Sequence, residues 1–168
     1  SWIGTFHGHG RRQLRADPEI AVLRPGFDIC DAEDSRRIVK RLLQRAADDG
    51  AWEPGDADTF RARVRSVAQR IALMKDNLVL PDQAEAVLES QIARFGAKSD
   101  EDLMAWHTAA VLYPAYQAAL REVNCADFGD LLLWPTVTML RDEQYRLDWS
   151  RRFDAILADE FQDVNRLQ

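Results

Sequence analysis

The sequence is poor in the residues that would make it a metal, disulfide or membrane protein. It holds two cysteines, Cys30 and Cys125, with no CxxC and no companion histidine spacing. Neither a zinc site nor a disulfide framework is indicated, and both are expected to be ordinary buried thiols. No apolar run approaches the ~20 residues that a membrane span requires, and the N-terminus lacks the basic, apolar, small-residue order of a signal peptide. A cytoplasmic protein with no membrane association is expected. Glycine and proline number only 8 and 6 among 168 residues, which excludes collagen-like and low-complexity classes. Lysine occurs only at Lys40, Lys75 and Lys98, so arginine carries nearly all the positive charge. A Gly-Lys dipeptide is missing, and with it the GxxxxGK[ST] loop whose amides and lysine cradle phosphates.

What is present describes an ordinary globular chain, 46% apolar and 30% charged, with a formal net charge of −6. That balance argues against strong non-specific nucleic-acid binding by the chain as a whole, because phosphate neutralisation supplies most such affinity. Any role on DNA must be local or shared. The apolar spacing is helical nearly throughout, so a mainly α, multi-helix body is predicted, with strand-like runs at the two termini and a short one at Phe27 to Cys30.

Asp31 is placed to cap a helix to about Ala47, with Ile38, Leu42 and Ala46 inward and Arg37, Arg41 and Arg45 on the other face. A solvated face is the ordinary explanation of that arginine stripe. A second helix, about Thr59 to Lys75, buries Phe60, Val64, Val67, Ile71 and Met74 in one stripe. Asp82 and Ser99 are expected to cap the third and fourth. Pro114 should kink or split the long fourth helix, which reaches about Val123, and a further helix runs from Phe128 to about Arg141.

The strongest chemical signal is Ile156-Leu157-Ala158-Asp159-Glu160-Phe161-Gln162-Asp163, a compact apolar run delivering adjacent carboxylates at its C-terminal end. Ligands in α/β sheets bind there. In a nucleotide-hydrolysing site Asp159 would hold Mg²⁺, a hard cation that takes few protein oxygens, and Glu160 would orient or deprotonate the attacking water. A bare Asp-Glu pair is more often a polar strand exit, but Gln162, Asp163 and Asn165 directly after it make accident a poor explanation. With no phosphate cradle in the chain, such a site is half a site, and the chain is expected to be an excised fragment. At the other end, Gly4 to Gly10 leads into a helix bearing Arg11, Arg12 and Arg15, where Thr5 and His7 suit a phosphate oxygen.

In order, these strings resemble the UvrD/Rep/PcrA group of superfamily 1 DNA helicases. That group carries TFHS, then a helical insertion, DFDDL, and DEYQD or DEFQD; here stand Thr5-Phe6-His7-Gly8, Asp127-Phe128-Gly129-Asp130-Leu131 and Asp159 to Asp163. Met74-Lys75-Asp76-Asn77-Leu78 is similar to the group's AKNEL, and Tyr113 to Gln117 to its YxxYQ. Gly8 stands for the usual serine and Gly129 for the first aspartate after phenylalanine. The resemblance implies that residues 1–9 and 152–168 are strands at the edge of a RecA-like α/β motor domain, flanking a helical accessory subdomain at 10–151.

It further implies an ATP-dependent 3′-5′ DNA helicase or translocase as the parent, acting on single-stranded and duplex DNA with ATP and Mg²⁺. Asp159 would be the metal ligand and Glu160 the catalytic carboxylate, while Gln162 and Asp163 couple nucleotide to motor and Thr5 and His7 lie along the DNA path. Lys75, a basic residue on an apolar-striped helix, is a further DNA-binding candidate. The isolated chain is expected to be inactive. The alternative is a non-enzymatic helical interaction module whose acidic end is solvated surface.

Overall fold

A computed structural model describes residues 3–96 and 98–159. Seven α-helices follow one another among these residues: α1 (Phe6–Ala16), α2 (Ala32–Asp48), α3 (Ala57–Asp76), α4 (Ala84–Phe95), α5 (Asp100–Glu122), α6 (Asp130–Arg141) and α7 (Glu143–Ser150). A mainly α body is observed. None of these helices is long and apolar enough to cross a membrane.

The helix starts follow side-chain chemistry closely. Asp31 caps α2 through a full capping box with Asp34, Asp56 accepts from the Thr59 amide at α3, and Ser99 Oγ accepts from the Asp102 amide at α5. Each bond satisfies an amide that the first helical turn leaves without a partner. Asp82 does not cap the next helix. It lies in a 3-10 turn, Pro81–Gln83, and α4 begins after it. Pro114 sits inside α5 without dividing it, since α5 runs unbroken from Asp100 to Glu122.

Helices α2 to α5 enclose the larger core, in which Val39, Leu43, Val67, Ile71, Tyr113 and Leu120 are fully buried. Met74 belongs to it, as its place in the apolar stripe of α3 demands. A smaller core joins α1 to α6 through Leu14, Phe27, Ala126 and Leu131. Close approach of those two helices rests on Gly10, because a Cβ there would lie 1.8 Å from the Leu131 carbonyl oxygen.

The cores meet at a parallel two-stranded ladder in which β1 (Asp28–Ile29) pairs with β2 (Cys125–Ala126). This pairing corrects the cysteine expectation. The register brings Cys30 and Cys125 to a Cα separation of 6.0 Å, within disulfide reach, and they form a disulfide rather than two thiols. Asn124 turns the chain there in a left-handed conformation, φ 53°, and its side-chain oxygen accepts from the Arg24 amide at 2.8 Å.

The terminal strands are a second correction. Ile3 to Thr5 carry no strand, and Thr5 caps α1, accepting from the Gly8 amide at 3.0 Å. Positions 153–159 are irregular, with Ile156 77% and Leu157 97% exposed. A strand exists only through a neighbouring strand, and the one ladder among the described residues pairs two internal segments. Trp2 and residues 160–168 lie outside the described residues.

Candidate DNA-facing corner and its buried support

The densest polar arrangement lies beneath the N-terminus of α6. Lys75 comes from the last turn of α3, Asp127 from the approach to α6, Tyr116 and Gln117 from α5, and Asp130 and Trp134 from α6 itself. The Lys75 ammonium donates to Asp127 Oδ2 at 2.7 Å and to Asp130 Oδ1 at 2.9 Å. Tyr116 donates its hydroxyl hydrogen to Asp127 Oδ2 at 2.7 Å, Gln117 Nε2 donates to Asp130 Oδ2 at 3.0 Å, and Trp134 Nε1 donates to Asp130 Oδ1 at 2.8 Å. The two aspartates also cap one another. The Asp130 amide donates to Asp127 Oδ1 at 2.8 Å and the Asp127 amide to Asp130 Oδ2 at 3.3 Å. All four carboxylate oxygens therefore have donors, as buried charge requires.

Lys75 is 0% exposed. Burial opposes its charge, but the two carboxylates outweigh burial and hold its pKa above the ordinary lysine value. Burial works against ionised Asp127 as well, yet Lys75 and the hydrogen bonds keep that carboxyl below its usual range. Burial and the neighbouring Asp127 push Asp130 up. The DNA-binding role predicted for Lys75 fails on this geometry, since its ammonium is enclosed and cannot reach a phosphate. Sequence held a usable signal: Ile71, Met74 and Lys75 stand at i, i+3 and i+4, so the lysine falls within the buried stripe.

Above this support the structure brings His7 beside Phe128, with Thr5 two residues before His7 at the N-cap of α1. The rings of His7 and Phe128 meet edge to face with centroids 6.0 Å apart. Phe128 stands between two buried aspartates yet is 52% exposed, so the fixed backbone on either side turns its ring outward. No acidic residue occupies the first turn of α1, which leaves the partial positive charge of its N-terminus uncompensated from within that turn. Asp76 lies near enough for His7 to lower its pKa, although burial raises it overall. Phe128 is the site residue that residue-type reasoning passed over, because one aromatic inside DFGDL reads as core until its exposure is known.

Asp159 is exposed in an irregular segment, and Glu160, Gln162 and Asp163 lie outside the described residues. No cluster of three His, Cys, Asp or Glu side chains able to hold a metal occurs among the described residues. Arg37 of the α2 stripe is engaged with Glu33 at 2.6 Å and with Asp34 at 3.5 Å, as a solvated face would have it.

Residues 1–168 match the family model of the UvrD/REP helicase N-terminal domain. The chain belongs to that family. It is 32% identical over 168 residues to DNA helicase II of Escherichia coli (strain K12), covering 99% of this chain and 20% of the relative. The ATP-dependent DNA helicase UvrD1 of Mycobacterium tuberculosis (strain ATCC 25618 / H37Rv) is 35% identical over 168 residues, 99% of this chain and 19% of the relative. The ATP-dependent DNA helicase Rep of Salmonella typhimurium is 26% identical over 166 residues, again 99% of this chain and 21% of the relative. This UvrD/REP domain thus spans about a fifth of the length of the curated relatives it matches. Its Lys75, Asp127 and Asp130 lie within two of the strings by which the sequence resembles the family.

Proposed function

We propose that this chain is the helical accessory subdomain, residues 10–151, together with the flanking motor-domain edges, 1–9 and 152–168, of an ATP-dependent 3′-5′ DNA helicase or translocase. The observation that carries the reading is the Thr5–His7–Phe128 corner, a half-buried histidine edge-on to an exposed phenylalanine at a helix N-terminus, beside a buried ion network. A single strand of DNA would place a phosphate against the α1 N-terminus and Thr5, and stack a base on Phe128. Base–aromatic stacking of this kind is worth ~1–3 kcal/mol per base. Family membership and the ATP-dependent helicases among the relatives support the same reading.

In this reading Asp159 is the Mg²⁺ ligand, Glu160 the carboxylate that activates water, and Gln162 and Asp163 the groups that couple nucleotide to motor. ATP supplies the phosphoryl transfer that drives movement. Asp159 is a single exposed carboxylate, so the described residues do not by themselves compose a Mg²⁺–ATP site. The phosphate cradle must come from outside this chain.

Two measurements test the reading. In the protein that carries this chain with a phosphate-binding loop, Glu160→Gln should abolish ATP turnover and keep nucleotide binding; loss of binding would make Glu160 structural. Phe128→Ala should weaken single-strand binding roughly 10-fold, with the salt slope nearly unchanged because no phosphate contact is removed. Unaltered affinity would remove Phe128 from the DNA path.

A further inference from the structure

The two cores are joined by the short ladder and by the buried bonds of Lys75, Tyr116 and Gln117 to Asp127 and Asp130. The ladder contributes the Asp28 amide donating to the Asn124 carbonyl at 3.0 Å and the Cys30 amide donating to the Ala126 carbonyl at 2.9 Å. Beside it, Arg121 Nε donates to the Ala21 carbonyl at 3.2 Å, and Asn124 pairs with the Arg24 backbone. The Cys30–Cys125 bridge lies beside the ladder on the side of the larger core, at a sequence separation of 95, so the loop it closes contains all of α2 to α5. Its two sulfurs differ in setting. Cys125 is 3% exposed within the larger core, whereas Cys30 is only partly buried against that core.

We propose that Cys30 and Cys125 form a reversible thiol–disulfide clamp, opened by thiolate attack on Cys30 Sγ, which sets how firmly the two ends of the α2–α5 bundle are held together. The attacking reagent is a low-molecular-weight thiol of the glutathione class. Its thiolate forms a new S–S bond to Cys30 while the Cys30–Cys125 bond breaks, and Cys125 leaves with the electron pair and takes up a proton. A second thiolate then attacks the reagent sulfur of the mixed disulfide, freeing Cys30 and releasing the oxidised reagent as its own disulfide. Two thiols are oxidised and one protein disulfide is reduced. Attack falls on Cys30 because access decides which sulfur is reached, and the buried Cys125 is enclosed. Opening removes the closure of a loop of 95 residues from the unfolded chain, the setting in which cross-links constrain most.

The test equilibrates the chain with reduced and oxidised glutathione over a range of ratios, quenches with an alkylating reagent, and maps modified cysteines by peptide mass. Oxidised samples should show neither cysteine alkylated and reduced samples both, with the glutathionyl adduct at intermediate ratios on Cys30. Reduction should lower the melting temperature by about 10 °C, the shift expected for a loop this long in a domain of this size. Cys30→Ser should melt at one temperature with or without reductant. Two alkylatable thiols at every ratio, an adduct confined to Cys125, or coincident melting of the oxidised and reduced chain would each overturn the proposal. The last comparison uses the unmodified sequence, so it decides even if Cys30→Ser does not fold.

Discussion

Replacing Lys75 by methionine keeps the length of the side chain and removes the one cation that, among the described residues, pairs with both Asp127 and Asp130. Tyr116, Gln117 and Trp134 would still donate, but two carboxylates would share a dry site with no countercharge. Breaking a buried pair in this way costs ~3–5 kcal/mol, because the charge left behind keeps its desolvation penalty. For a domain of this size that lowers the melting temperature by roughly 6–20 °C. The pH response gives a second readout. Lys75 has a raised pKa in the folded chain, so its contribution is complete below the unfolded value of about 10.4 and is lost as pH rises through the folded pKa. Asp127 has a lowered pKa, so its contribution is present above about 3.9 and is lost as pH falls through the folded pKa. Asp130, with a raised pKa, works in the opposite sense and takes up a proton more readily folded than unfolded. Lys75→Met should therefore abolish the alkaline loss and make the chain recover stability on acidification, as one carboxyl protonates. Adding Asp130→Asn should return most of the lost stability. Chemical denaturation at pH 5, 7 and 10 decides the matter. A change under about 1 kcal/mol with no dependence on pH would mean that the ammonium is hydrated, and the buried-network argument would fall.

Gly10→Ala should destabilise despite alanine's better helix propensity of ~1 kcal/mol, because the new methyl meets the Leu131 carbonyl and overpacking costs ~1–3 kcal/mol; equilibrium unfolding measures the net sign. Val22→Gly should stabilise by about 1 kcal/mol, since Val22 holds φ 59° while 64% exposed, so strain is relieved with little burial lost; a thermal melt checks it. His9 has a pKa lowered by burial first and then by Arg12 and Arg152, so it favours folding above its unfolded value of about 6.5. Its contribution should fade as pH drops below that value, and NMR titration of the ring with melts from pH 7 to 5 should show both changes together.

The ion network also explains how two short strings far apart in the chain serve one corner. Lys75 is drawn from MKDNL and the aspartates from DFGDL, and the bonds between them orient the backbone from which Phe128 projects toward His7. Gly129 contributes by its lack of a side chain. A Cβ there would lie 2.7 Å from Lys75 Cδ, within the clamped stem of a fully buried lysine.

Most helices, and the caps at Asp31 and Ser99, were legible in sequence because they rest on local chemistry: each of these two side chains bonds an amide two or three residues away, and 3.6-residue periodicity marks the face that packs. The order of the strings was enough to point to the helicase family. Tertiary structure alone decided the rest, because those features depend on which distant segments meet. Strand-like composition at Phe153 to Ala158 has no strand beside it among the described residues, while the unremarkable Asp28–Ile29 and Cys125–Ala126 pair through a register that also sets two cysteines 6.0 Å apart. Lys75 was a cation on a helix until folding enclosed it between two carboxylates, and Phe128 an apolar residue until those carboxylates fixed the chain around it. Charge and hydrophobicity are properties of a side chain, whereas burial and partnership belong to its surroundings.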